Sequence, residues 1–177
     1  MALIVENGTM PEGANSYASI ADADAWQAAR GSQTWPPADP DGQDGQEALK
    51  EAALILAADY LNGLKWVGRK AAPGRIMAWP RLEAFDLDGY SIAANAVPEA
   101  VKAACCYLAG LAYDGTDLQP ILERGGRIQS RSVGKLSTSY FQDAPGRDVF
   151  SALADLLSGL AADFSAPGAI SSPIIRA

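Results

Sequence analysis

Four stretches of the chain place apolar residues at helical spacing, and the segments between them interrupt that spacing with Gly, Pro, Asp and Ser. The first begins at Ser19-Ile20-Ala21-Asp22, where a Ser hydroxyl and an acid three residues on can each satisfy a free backbone N–H. It is anchored by Trp26 and stops at Gly31. The second runs from Gln46 to Asn62, with Leu49, Ala52, Ala53, Leu56 and Tyr60 on one stripe, Leu54 and Ile55 widening it, and Gly63 as its end. The third runs from Pro98 to Tyr113 and is apolar nearly all round, with Val101, Ala104, Cys105, Leu108, Leu111 and Ala112 as core positions, which places it at the centre. The fourth, Asp148 to Phe164, lines up Val149, Leu153, Leu156, Leu157, Leu160 and Phe164.

Between the third and fourth, Arg127 to Phe141 alternates and is rich in Ser, Thr and Val, so it reads as a hairpin turning at Gly134-Lys135. Ala2 to Val5 reads as a brief strand before the turn Glu6-Asn7-Gly8-Thr9, and residues 32–45 read as a weakly ordered loop. The predicted fold class is therefore mainly α: a bundle of about four helices with a β-hairpin and extended loops. Residues 1–164 form the helical domain with the hairpin inserted at about 127–141, and residues 165–177 form a C-terminal tail.

Composition agrees with helices. Hydrophobic residues make up 49% of the 177 positions and alanine leads them, which favours close helix packing over a bulky aromatic interior. No apolar run reaches the roughly 18 residues of a membrane span. The N-terminus lacks a signal-peptide pattern, so the chain is expected to be intracellular when made. Cys105 and Cys106 are adjacent within a helical pattern and read as buried packing residues.

Charge changes the picture. The chain carries a formal net charge of -7, yet Lys65, Arg69, Lys70, Arg75 and Arg81 sit beside Trp66 and Trp79 with no acid among them. Residues 1–64 hold ten acids against two bases, and residues 82–123 hold seven against one. A second basic block follows at Arg124, Arg127, Arg131 and Lys135. Alternating blocks of this kind suit contact between neighbouring molecules or a polyanion passing the basic segments. The first block has two readings: Lys and Arg neutralise phosphates while Trp66 or Trp79 stacks on bases, or the tryptophans pin an irregular segment onto the helices and the arginines pair with acids.

Catalytic constellations are scarce. The sequence has no histidine, which removes Ser-His-Asp and Cys-His arrangements and the commonest metal ligand. Asp86-Leu87-Asp88-Gly89 looks like a fragment of a calcium loop but lacks its closing glutamate, and reads as a turn. Gly125-Gly126 is too little for a phosphate-binding loop. No enzyme activity, metal or cofactor is expected.

The opening Met-Ala-Leu-Ile-Val-Glu-Asn-Gly-Thr, then Ala57-Ala58-Asp59-Tyr60-Leu61, Trp66-Val67-Gly68-Arg69, Ala78-Trp79-Pro80-Arg81, Asp88-Gly89-Tyr90 and Arg124-Gly125-Gly126-Arg127, resembles the head-tail adaptors, or connectors, of tailed phages. That resemblance implies a structural virion protein at the neck, made in the host cytoplasm. It implies a self-assembled ring, a dodecamer, that contacts portal protein and a tail-completion or stopper protein, with double-stranded DNA passing unbound and no membrane contact. Ile170, Ile174, Ile175 and Arg176 would then be the portal-docking tail. Lys65, Trp66, Arg69, Lys70, Arg75, Trp79, Arg81, Arg127, Arg131 and Lys135 would make intersubunit or DNA contacts. The same motifs are similar to proteins grouped as DnaT-like single-stranded-DNA-binding proteins, and the alternative is a replication accessory protein that binds through Trp66, Trp79 and the nearby bases.

Overall fold

A computed structural model describes residues 2–37, 45–119, 130–133, 136–139 and 150–162, the two stretches within 130–139 by their backbone. Four helices and two short antiparallel ribbons lie among them, a mainly α fold with a hairpin. Helix α1, Ile20–Ala29, starts on the expected capping box: Ser19 accepts from the Asp22 N–H, and the Asp22 carboxylate accepts from the Ser19 N–H at 3.0 Å. Helix α2, Gln46–Asn62, ends at Gly63 as its sequence predicts. Strands β1, Arg69–Lys70, and β2, Arg81–Leu82, pair in register Arg69 to Leu82 and Lys70 to Arg81. Helix α3, Glu99–Tyr113, follows Pro98. Strands β3, Ser130–Val133, and β4, Leu136–Ser139, pair antiparallel as the predicted hairpin, with Val133 opposite Leu136; the turn expected at Gly134-Lys135 lies outside the described residues. Helix α4 is Ser151–Leu156.

The core forms where α3 meets α1, α2 and α4. Small residues let these helices approach: Ala53, Ala57 and Ala58 of α2 and Ala104 and Ala109 of α3 are buried. At Gly110 a Cβ would collide with the side-chain amide of Gln27, which donates to the Cys106 carbonyl at 2.8 Å and so joins α1 to α3. Cys105 and Cys106 are free and buried in this core. A buried ion pair fixes the other side. Lys50, 2% exposed, donates to Asp24 at 2.7 Å and to the Pro37 carbonyl, while the Trp35 indole donates to the same Asp24 oxygen at 2.6 Å. Trp35 also packs on Tyr113, so the start of the loop after α1 is pinned across two helices.

Several expectations are corrected. Ala2 to Val5 is not a strand; its pairing is a single bridge between Val5 and Ser16. In α2 the predicted stripe holds at Ala53, Leu54 and Tyr60 but is rotated: Leu49 and Leu56 are 60% and 54% exposed, and Lys50, Ala57, Ala58 and Leu61 are buried as well. The large apolar residues set the predicted phase, whereas the paired Lys50 and the small alanines set the real one. Helix α4 stops early because Gly159 turns the chain at φ 78°, after which the carbonyls of Leu160 and Lys65 accept from the Val67 and Ala162 N–H groups. Residues 148, 149, 163 and 164 of the predicted fourth helix, and the tail 165–177, lie outside the described residues. No helix among the described residues is long and apolar enough to cross a membrane.

Candidate nucleic-acid interface

The basic segment folds as a loop whose residues divide into two groups. Trp66 and Trp79 belong to the interior, at 9% and 1% exposure. Their rings meet edge to face at 5.7 Å, and the Trp66 indole donates to the Leu61 carbonyl at the end of α2. The backbone around Trp79 hangs on Tyr17, whose buried hydroxyl accepts from the N–H groups of Ala78 and Trp79 and donates to Asn62 at 2.6 Å. Burial pushes the Tyr17 hydroxyl well above its ordinary pKa, so it stays protonated as that donor.

Arg81 and Arg75 are also taken up by the fold. The Arg81 guanidinium donates to the carbonyls of Val67, Gly68 and Ala78, at 2.6, 2.7 and 3.0 Å, and plugs the turn that leads into β1. Its desolvation lowers its pKa from the ordinary arginine value. Gly68 is required beside it: φ is 68°, and a Cβ would run into the Leu82 carbonyl oxygen. Arg75 donates to Glu6 at 2.8 Å and to the carbonyls of Met10 and Pro11. Glu6 is fully buried and also accepts from the N–H groups of Gly8 and Met10, so this cluster ties the N-terminal segment to the basic loop.

Lys65, Arg69 and Lys70 remain on the surface. Arg69 is 68% exposed and pairs with Glu83, itself 69% exposed, at 3.2 Å; ion pairs in that much solvent contribute only about 0–1 kcal/mol. The Lys70 ammonium donates to the carbonyls of Arg75 and Ile76, closing the loop while keeping its charge at the surface. Glu83 holds a left-handed backbone, φ 57°, as the chain leaves β2.

That exit leads to a feature the sequence reading missed. Phe85 bridges to Ser91, and between them Asp86 accepts the N–H groups of Asp88 and Tyr90 on one oxygen, with Gly89 at φ 86°. This is the turn expected from Asp86-Leu87-Asp88-Gly89, and it holds Phe85, Leu87 and Tyr90 in solvent, Tyr90 at 72% exposure. The signal was available: three large apolar residues within six positions of a turn have little chain of their own to pack against.

Of the remaining candidates, Arg131 sits on β3 opposite Thr138 of β4. Arg127, Lys135, Ile170, Ile174, Ile175 and Arg176 lie outside the described residues. Among the described residues no group of three or more His, Cys, Asp or Glu side chains is placed to hold a metal ion.

The whole chain, residues 1–177, matches the family described as "Putative DnaT-like ssDNA binding protein", and the protein belongs to that family. No curated protein matches, and no solved structure matches. The full-length match overturns the identification as a phage head-tail adaptor, together with the virion, connector and portal-binding roles drawn from it. The motifs behind the adaptor reading belong to a chain whose full length fits the DnaT-like family.

Proposed function

We propose that this member of the DnaT-like family binds single-stranded DNA along the edge carrying Lys65, Arg69 and Lys70, with Phe85 and Tyr90 as stacking surfaces, and that it does so without catalysing a reaction. The family match over the entire chain carries this reading. Bases on an exposed edge neutralise phosphates, and exposed aromatic rings accept any base face, a combination that favours unpaired strands over duplex.

The buried tryptophans take no part. Trp66 and Trp79 hold the platform from inside, so the stacking role passes from them to Phe85 and Tyr90. Glu83, Asp86 and Asp88 stand on the same stretch and repel phosphate. Binding by the three bases is therefore modest and strongly salt-dependent, with a slope of about −2 in log K against log salt if three phosphates are neutralised. Anisotropy titration of a labelled oligothymidylate against the full chain tests the proposal: Arg69→Ala with Lys70→Ala, and separately Tyr90→Ala, each weaken binding while the fold is retained. Affinity unchanged by all three substitutions would remove the edge from the reading.

A further inference from the structure

Beside the Phe85–Ser91 turn, a groove of about 400 Å³ opens between the turn, the start of α3 and the end of α4. Leu87, Ile92 and Leu156 line it, and the carboxylates of Asp86, Asp88 and Asp155 stand among its lining residues, none of which is basic. Its volume falls in the range of about 300–1,000 Å³ typical of binding clefts. Leu87 is 70% exposed although its side chain lies against the Gly159 turn, where a Cβ would overlap it, so it covers one flank of the groove and leaves its own outer face in water.

We propose that this groove is a docking site for a short cationic, aliphatic peptide segment of a partner protein, one that places a leucine or isoleucine against Leu87 and Leu156 and an arginine or lysine on each side toward Asp86, Asp88 and Asp155. Charge selects the occupant. Three like charges beside an aliphatic floor repel a phosphate backbone and acidic peptides, and a purely apolar segment would leave them without partners. A second copy meeting this one groove to groove would present the same acidic surface. Asp86 keeps one oxygen for the backbone of its own turn, which fixes that carboxylate at the rim before a ligand arrives. The groove shares the Phe85–Ser91 turn with the proposed DNA edge, but none of its lining residues is among those proposed to hold DNA, so either proposal can fail without the other.

The probe is a fluorescein-labelled Arg-Ile-Leu-Arg peptide, blocked at both ends, titrated into the full chain by anisotropy beside Glu-Ile-Leu-Glu and Arg-Gly-Gly-Arg. The proposal expects the first to bind at least tenfold tighter than either control. Leu87→Ser and Asp155→Asn should each weaken it threefold or more, with oligothymidylate affinity unchanged; both residues are exposed, and thermal melting checks the fold. Equal binding of Arg-Ile-Leu-Arg and Arg-Gly-Gly-Arg would reduce the site to surface charge and overturn the proposal. So would insensitivity to both substitutions, or a dimer in sedimentation that Leu87→Ser dissociates, which would assign the groove to a second copy.

Discussion

Trp66 and Trp79 meet edge to face, with ring centroids 5.7 Å apart and planes at 84°, beneath the loop that carries the chain's exposed basic edge. An aromatic contact of this kind contributes about 0.5–1.5 kcal/mol beyond the area it buries. The two rings that look most like base-stacking groups in the sequence are thus the floor on which the basic loop rests. Trp79→Ala should cost about 3–5 kcal/mol in urea unfolding, as large aromatic truncations in cores do. Trp79→Phe, kept folded, should bind oligothymidylate within twofold of the parent chain; a selective loss of binding with stability intact would return the tryptophan to the interface.

Glu83 restrains the edge it belongs to. Its carboxylate pairs with Arg69 in solvent, and its charge opposes phosphate. Glu83→Gln should raise single-stranded-DNA affinity two- to fivefold at low salt, an advantage that shrinks as salt screens the edge. Anisotropy at two salt concentrations reads both effects.

Lys50 and Asp24 form the buried ion pair that closes the loop after α1. Removing one partner leaves a buried charge, which typically costs about 3–5 kcal/mol. Lys50→Ala should fall in that range by urea unfolding, and Asp24→Ala should in addition release the Trp35 indole and change its fluorescence. A loss below about 1 kcal/mol for both would show the pair to be solvated.

Stability should decline at both ends of the pH scale, for opposite reasons. The Ser19 hydroxyl and N–H hold Asp22 below its ordinary carboxylate pKa of 3.8, so its contribution is present above that value and is lost as pH falls through the lowered one. Ser19→Ala should cost about 1 kcal/mol near neutrality and progressively less in acid. At the alkaline end, burial pushes the Cys105 thiol from 9.0 up to about 11 and the Cys106 thiol up to about 12. The unfolded thiols ionise first, so the stability held below pH 9 is lost as pH rises toward these values. Thermal melts from pH 7 to 11 check the slope, and a thiol reagent at pH 8 should label both cysteines only on unfolding.

The sequence was most legible where local chemistry decides the outcome. The Ser19–Asp22 cap and the Gly63 stop of α2 follow from capping and glycine chemistry, the central place of α3 from its all-round apolar pattern, and the pairing of β3 with β4 from alternation. It was least legible where a distant partner decides. Lys50 turns inward because Asp24 waits there, and that choice rotates α2 and leaves Leu49 and Leu56 outside. Arg75 and Arg81 look like interface bases until Glu6 and three carbonyls claim them. Of the five bases in the first block, Lys65, Arg69 and Lys70 stay on the surface, and Phe85 and Tyr90 were overlooked because neither falls on a periodic element.

Whether the folded chain binds single-stranded DNA through its exposed edge is read by salt-dependent anisotropy with an oligothymidylate and a matched duplex. Tighter binding to the single strand, a log–log salt slope of about −2, and loss of most affinity in Arg69→Ala/Lys70→Ala with the fold retained are the expected results. No single-strand preference, or full affinity in that double variant, would contradict binding through that edge.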